Sequence, residues 1–230
     1  MTTKASVWLA KSLSYEFNDA DLLQQALTHR SCPGANNERL EFLGDAVLGF
    51  VIAEAIYLAE ANASEGDLSK LRASLVKSTS LAELALELDL GEHLILGGGE
   101  RKSGGHRRES ILADTLEAIF GAVYLDSDFA SAVAVIKRAF GDRLTQLPAM
   151  EELRDPKTRL QEWLQARGLG LPEYELTKVS GKAHLQRFDV SCSIQNGERN
   201  SNGSGTTRRN AEQESAQEML IQLGENVTSA

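Results

Sequence analysis

The stretch NERLEFLGDAVL (residues 37–48) reads as the core of a long helix, except that Glu38, Glu41 and Asp45 interrupt its Leu, Phe and Val. At about 100° per residue, Glu41 stands roughly 60° from Glu38 and Asp45 roughly 40° from Glu41, so the carboxylates share one narrow face. Carboxylates seldom leave water unless they are paired or hold a metal, so something positive is expected against that face. A second pair answers it. In ESILADTLEAIFGAVYL (residues 109–125), Asp114 and Glu117 lie three apart in a run dominated by Ile, Leu, Ala, Phe and Val. Oxygen donors from two apolar helices, without His or Cys, suit a hard cation, Mg2+ or Mn2+, rather than zinc. Such a cation lowers the pKa of a bound water and neutralises a phosphate, which is the chemistry of phosphate-ester hydrolysis.

For any one acid taken alone, a solvated helix face is the ordinary explanation. Glu38 has Arg39 beside it and a helix end close by. Glu65, in ASEGDLSK (residues 63–70), can simply favour the positive end of a helix that Ser64 and Asp67 cap. These two are supporting acids. Glu41, Asp45, Asp114 and Glu117, each inside a nearly unbroken apolar run, are the expected metal ligands.

Working outward, helix periodicity continues through FNDADLLQQALTHRS, the opening stretch as far as about Leu58, GDLSKLRASLVKSTSLAELALELDLG, the Asp114 segment and DFASAVAVIKRAFGDRLTQL. The Gly-rich GGGERKSGGHRR (residues 97–108) punctuates them. This predicts an all-α N-terminal domain over residues 1–147. The pattern lapses over 148–154, a linker, and a helix restarts with Asp155 as N-cap, Pro156 at its first position and Gly168 as its stop. Beyond it Phe188, Val190, Cys192 and Ile194 alternate with polar residues as a half-buried strand, NGER turns the chain, and Ala211, Ala216, Met219, Leu220 and Leu223 form one helical stripe. Residues 155–225 are therefore a small α+β domain of order α-β-β-β-α, and 226–230 a tail.

With 230 residues and 42% hydrophobic content, the chain has enough apolar material for one good-sized domain and a small second one. The opening MTTKASVWLAKSLSYEF carries no apolar stretch of signal-peptide length, and no later run approaches a membrane span, so a cytoplasmic location and no membrane partner are expected. Cys32 and Cys192, with no Cys or His pattern around them, suggest neither a disulfide nor a zinc framework. The net charge of −9 argues at first against a nucleic-acid partner. It is uneven, however: residues 1–154 hold 15 Lys and Arg against 23 Asp and Glu, and the remainder 9 against 10. An acidic first part needs cations to approach phosphate.

At this point NERLEFLGDAVL closely resembles the signature of ribonuclease III, the double-stranded-RNA endonuclease. THRS (residues 28–31), SEGDLSKLRASLV, KSGGHRRESILADTLEAIFGAVYLD and DPKTRLQEWLQ resemble bacterial members in the same order, over nearly the whole chain. The resemblance implies a homodimer whose two sites each use Mg2+ and water to cut one strand, leaving 5′-phosphate and 3′-hydroxyl ends, with rRNA precursors and other structured RNAs as substrates and no nucleotide cofactor. It implies metal ligands at Glu41, Asp45, Asp114 and Glu117, with Asp45 and Glu117 closest to the chemistry and Glu38 and Glu65 nearby. Phe42 would pack into the partner subunit, an intramolecular core contact being the alternative. His29 and Arg30 would lie near the cleft, His29 without a chemical role, and Arg107 and Arg108 would meet RNA phosphate or balance local acids.

The small domain resembles the double-stranded-RNA-binding module, which reads duplex shape through 2′-hydroxyls and phosphates. Its contacts would fall on Thr158, Gln161 and Glu162, on the loop Gly181, Lys182, Ala183 and His184, and on Thr207, Arg208, Arg209 and Asn210, where a helix N-terminus faces phosphate. Asn210 departs from a commonly basic position, and Glu212 and Glu214 follow it. A binding protein that does not cut, or a helical metalloenzyme acting on small diphosphates, are the competing readings. The first needs broken acids and the second has no use for an RNA ruler.

Overall fold

The computed structural model describes residues 3–149, 153–181 and 186–224. The chain divides into two compact units, Met1–Pro148 and Ala149–Ala230. The first is helical: α1 (Lys4–Leu13), α2 (Ala20–Leu27), α3 (Glu38–Ala59), α4 (Glu65–Val76), α5 (Ser78–Glu87), α6 (Gly98–Lys102), α7 (Glu109–Asp126) and α8 (Phe129–Phe140), with short 3-10 turns between some of them. Side-chain caps start several of these helices, as their sequences lead one to expect. The Asp19 carboxylate accepts from the Asp21 N–H, Ser64 from Asp67 and Asp128 from Ser131.

One periodic run behaves differently from expectation. The segment from Gly66 to Gly91 is not continuous helix, because Lys77 takes an extended backbone (φ −64°, ψ 149°) that ends α4 and begins α5. The Ser78-Thr79-Ser80 cluster supplies the competing hydrogen bonding that favours such a break, and Ser80 Oγ donates to the Ser74 carbonyl at 2.8 Å.

The centre of this unit is the crossing of α3 and α7. Along α7 every residue from Ile111 to Val123 is buried apart from Asp114 and Glu117. Against it α3 sets Leu40, Gly44, Val47, Leu48 and Val51. The two backbones nearly touch: a Cβ added at Gly44 would overlap the Glu117 carbonyl, and one at Gly121 the Leu40 carbonyl. Within the crossing Asn37 Nδ2 donates to Thr115 Oγ1 at 3.3 Å, and Thr115 Oγ1 donates to the Ile111 carbonyl at 2.7 Å, so both buried polar groups are satisfied. By length and composition α3 does reach the threshold for crossing a membrane, contrary to the sequence reading. Its packing on α7 and its acids near the start make it a core helix of this unit.

The second unit is α9 (Pro156–Gln165), β1 (Glu173–Ser180), β2 (Arg187–Ile194), β3 (Arg199–Gly205) and α10 (Arg208–Gln222). The strands form one antiparallel sheet in the order β1-β2-β3, with an irregularity in β1 between Leu176 and Lys178. Asp155 caps α9 by accepting from the Lys157 N–H at 2.9 Å, and Gly168 takes a positive φ of 66° after the helix ends. Leu160, Leu164, Cys192, Ile194, Ala216, Met219 and Leu220 make the core. Gly203 lets α10 lie directly on β3, since a side chain there would strike the Ala211 carbonyl and the Ser215 amide. The tail 226–230 lies outside the described residues.

Gly44→Ala should force α3 off α7. Overpacking at a backbone contact costs about 1–3 kcal/mol or more, and the thermal melt of the variant should fall accordingly. The same substitution at Gly49, where a Cβ would meet nothing within 4 Å, should leave the melting temperature nearly unchanged.

Candidate functional site

The close approach of α3 and α7 brings Glu41, Asp114 and Glu117 together. One carboxylate oxygen from each lies within 4.8 Å of the others. All three are half-buried, and the group has the oxygen-only composition that suits a hard divalent cation. Their mutual repulsion is visible in their protonation. Burial first, and then the charges of Asp45, Asp114 and Glu41, push the Glu117 carboxyl up to about 8. Burial, followed by Asp114 and Glu38, raises Glu41. Burial also raises Asp114, with His29 and Arg30 working against it. A cation placed among these oxygens would relieve all three shifts.

The other expected acids stand apart from this group. Asp45, one turn beyond Glu41 on α3, is exposed and is not among the converging oxygens, although its charge acts on Glu117. Glu38 is bound elsewhere, in an ion pair with Arg30 at 3.5 Å and a hydrogen bond from Asn36 Nδ2 at 3.3 Å. Its partner is Arg30 rather than the adjacent Arg39. Glu65 does not approach the cluster: it accepts from Ser69 Oγ at 2.9 Å and lines a separate groove with Phe50, Tyr57, Leu68 and Arg72. The capping pair beside it forms as expected, Ser64 Oγ accepting from the Asp67 N–H at 3.2 Å.

Beside the cluster an open cleft of about 730 Å³ shares Glu41 and Asp114 as part of its wall. His29, Arg30 and Arg108 bring cationic or polar side chains to it, and Glu100, Ser31 and Ser110 also line it. Arg107, by contrast, is exposed and not among the lining residues. The His29 ring is fixed by Ser31, whose N–H donates to Nδ1 at 3.1 Å. Sequence reasoning misses Glu100 and Ser31. The only signal for Glu100 is its place in the Gly-rich GGGERKSGGHRR, where a lone acid among cations reads as surface.

Phe42 is 81% exposed, so it is not an intramolecular core residue. It begins a stripe on α3 that continues through Ala46, Phe50 and Tyr57, all exposed.

In the second unit Thr158, Gln161 and Glu162 are exposed on one side of α9, and Thr207, Arg208, Arg209 and Asn210 are exposed at the start of α10. Lys182, Ala183 and His184 lie outside the described residues. The α10 N-terminus is partly occupied, since Thr207 Oγ1 accepts from the Asn210 N–H at 3.1 Å. Glu212 does not face outward alone: it takes Lys157 Nζ at 2.6 Å and Arg208 Nε at 2.9 Å. Arg209 lies 3.8 Å from Asp155, and Glu162 pairs with Arg154 at 3.4 Å. Glu214 accepts from the Ser204 N–H on the edge strand β3. The acids that follow Asn210 are thus spent within the unit.

Comparison with known proteins covers both units. Residues 19–144 match the family described as ribonuclease-III-like, and residues 156–223 match the double-stranded RNA binding motif. Ribonuclease 3 of Colwellia psychrerythraea is 55% identical over 212 residues, which is 92% of this chain and 80% of that one. Ribonuclease 3 of Proteus mirabilis is 52% identical over 215 residues, 94% of this chain and 95% of that one. The crystal structure of the nuclease domain of ribonuclease III from Campylobacter jejuni is 45% identical, with a TM-score of 0.60, and covers 64% of this chain and all of that one. A second structure of that domain, 48% identical with a TM-score of 0.56 over 57% of this chain and 93% of that one, describes flexibility in a region involved in its dimer formation.

The raised Glu117 gives a pH signature to the metal-free protein. Its carboxyl keeps a proton up to about 8 when folded against 4.5 in an unfolded chain, so the folded state binds more protons between those values. The stability from this group is present in full below the unfolded value and is lost as pH rises through the folded one. In EDTA, wild type should lose melting temperature relative to Glu117→Gln as pH rises from about 5 to about 9. Parallel melting curves for the two proteins would contradict the raised carboxyl.

Proposed function

The chain belongs to the ribonuclease III family, and we propose from that membership and from the converging carboxylates that it hydrolyses the phosphodiester bonds of double-stranded RNA with Mg2+-activated water. Mn2+ is the expected substitute. The products are 5′-phosphate and 3′-hydroxyl ends with short 3′ overhangs, and the substrates are rRNA precursors and other structured RNAs, including messenger RNAs. The observation that carries this reading is the meeting of Glu41, Asp114 and Glu117 within 4.8 Å at the edge of an open cleft of about 730 Å³ that Arg30 and Arg108 also line.

Glu41, Asp114 and Glu117 would hold the metal, with Asp45 adding negative charge from one side. When bound, the metal supplies a water of lowered pKa and a counter-charge to the phosphate. The protein's own residues do the rest. Glu117 would hold the cation through its ionised carboxylate, and the exposed Asp45 adds a negative charge that acts on Glu117. Arg30 and Arg108 line the cleft as cations for the neighbouring phosphates, and Glu38 orients Arg30.

The second unit supplies the grip on the duplex. Exposed Thr158, Gln161 and Glu162 suit 2′-hydroxyls, and Arg208 and Arg209 suit phosphate. The homodimer is proposed to form across the exposed α3 stripe, with Phe42 of one copy entering the apolar groove of about 330 Å³ lined by Phe50, Ile56, Tyr57 and Leu68 of the other. A two-fold arrangement sets two carboxylate clusters against two antiparallel strands, one cut to each. We place the enzyme in the cytoplasm, where its free Cys32 and Cys192 stay reduced.

Two experiments test this. Glu117→Gln should retain duplex binding in a gel shift with Ca2+ while losing most cleavage in Mg2+, because the amide keeps the shape but not the ligand charge. Near-normal cutting would remove the metal assignment.

Arg208→Ala with Arg209→Ala should weaken binding to all duplexes alike and lower the slope of log affinity against log salt by about 0.9 for each phosphate no longer neutralised. A weakening confined to particular RNA sequences would contradict shape reading.

A further inference from the structure

Glu100 is a carboxylate that the proposed chemistry does not use, yet it is well protected from solvent. Its side chain is 18% exposed, whereas that of Arg108, its partner at 2.8 Å, is 49% exposed. The chain is folded around it. Gly104 turns with a positive φ of 83°, and Gly105 presses so closely that a Cβ there would come within 2.7 Å of Glu100 Cγ. Ser103 Oγ donates to the Glu100 main-chain carbonyl at 3.0 Å and stands 3.3 Å from Glu100 Oε1. Arg108 Nη2 in turn reaches Ser103 Oγ at 3.5 Å.

Arg108 is therefore held twice. Its main chain is the N-cap of α7, the helix that carries Asp114 and Glu117, and its carbonyl accepts from the Leu112 N–H at 3.0 Å. Its side chain is held by Glu100. A guanidinium has five N–H donors, and the bonds to Glu100 and Ser103 use two, leaving donors for the cleft that Arg108 lines with Glu41 and Asp114. An exposed arginine pair alone would carry little weight. Here the carboxylate, at the cleft wall, is mostly covered and the arginine is half open, so the acid is the fixed partner and the guanidinium the group free to reach a ligand.

We propose that Glu100 is a positioning residue: it fixes the Arg108 guanidinium over the cleft, in register with the α7 carboxylates, so that Arg108 clamps a phosphate of the bound RNA strand. The inference deepens the nuclease reading and rests on it. It separates Glu100 from the metal-binding acids, since its carboxylate is paired with Arg108 and lies outside the converging group. A cation held in place beforehand loses little freedom when the phosphate arrives.

The test compares wild type, Glu100→Gln, Arg108→Ala and the double variant for cleavage of a short RNA duplex, over a range of salt and of Mg2+ concentration, with melting temperatures measured in parallel. Arg108→Ala should lower kcat/KM on the order of ten- to a hundredfold, the effect of removing one charge-assisted hydrogen bond to phosphate. It should also take about 0.9 off the salt slope. Glu100→Gln should reproduce most of the fall in kcat/KM although Arg108 is still present, and leave the Mg2+ midpoint where it was. The double variant should be no worse than Arg108→Ala, because Glu100 acts only through Arg108.

Additive losses would overturn the proposal, as would a shift of the Mg2+ midpoint in Glu100→Gln, which would make Glu100 a metal ligand. A lowered melting temperature with undiminished cleavage by the folded variant would reduce it to a structural staple. Should Glu100→Gln fail to fold, Arg108→Lys takes its place. It keeps the charge without the planar fork, so a retained salt slope with reduced kcat/KM supports positioning and full activity refutes it. Wild type that does not cut the duplex would remove the nuclease reading itself, whereas wild type that cuts no better than Arg108→Ala removes this inference alone.

Discussion

The contact of Gly44 with the Glu117 carbonyl, and of Gly121 with that of Leu40, is the constraint on which the rest of the catalytic unit depends. Helix axes ordinarily stand 8–10 Å apart according to the side chains between them. Removing the side chain at the crossing point of both helices lets the backbones meet, and only then do Glu41 from one and Asp114 and Glu117 from the other share a space a cation could fill. Glu117 is tied to this constraint directly, because its own carbonyl is the atom Gly44 approaches. The geometry has an electrostatic cost, seen in the raised carboxyls. Apolar burial offsets it: each fully buried Leu, Ile, Val or Phe contributes about 1.5–3 kcal/mol, and α7 alone buries Ile111, Leu112, Leu116, Ile119, Phe120 and Val123.

That balance explains which parts of the site could be read from the sequence. An acid that interrupts a long apolar run is conspicuous, and α7 shows the rule most clearly, since its two interior acids are the only residues from 111 to 123 that are not buried. Helical periodicity likewise gives α3, α7 and the stripe of α10, and the Asp155 cap with Pro156 gives the start of α9. Periodicity does not say how far a face extends toward a neighbour. Glu41 and Asp45 are close on a helical wheel, yet Glu41 meets α7 and Asp45 stays in solvent, a distinction set by where the crossing lies. Ion pairs between residues from different segments are equally hidden: nothing in the local sequence gives Glu38 to Arg30, puts Glu65 in an apolar groove or encloses Glu100 beneath Arg108.

The RNA-binding unit shows the same limit in its charges. Counting acids after Asn210 suggests repulsion of phosphate, but Glu212 ties α10 to α9 through Lys157, whose ammonium also lies 4.4 Å from the Tyr174 ring centroid. Asp155 adds a second tie by accepting from Gln213 Nε2 at 2.7 Å. These bonds hold together the two helices that carry the proposed contact residues. They also mean that Arg208 is partly neutralised before RNA arrives, so its approach to a phosphate competes with Glu212. Arg209 carries a weaker version of the same competition, since Asp155 lies 3.8 Å from it.

On the proposed reading, a chain of net charge −9 binds a polyanion, and the placement of charge resolves the conflict. Exposed charges farther apart than about 10 Å are largely screened at ordinary salt, so the RNA senses local groups and not the total. In the catalytic unit three of the acids are drawn into one cluster, where a bound cation would convert them from a repulsive patch into a site that attracts phosphate. Another, Glu38, is cancelled by Arg30, and Glu100 is enclosed with its charge answered by Arg108. Without the metal the same arrangement is self-opposing, because the raised Glu117 and its neighbours have no counter-charge among themselves. On that reading, metal binding and RNA binding would be coupled through the same three carboxylates.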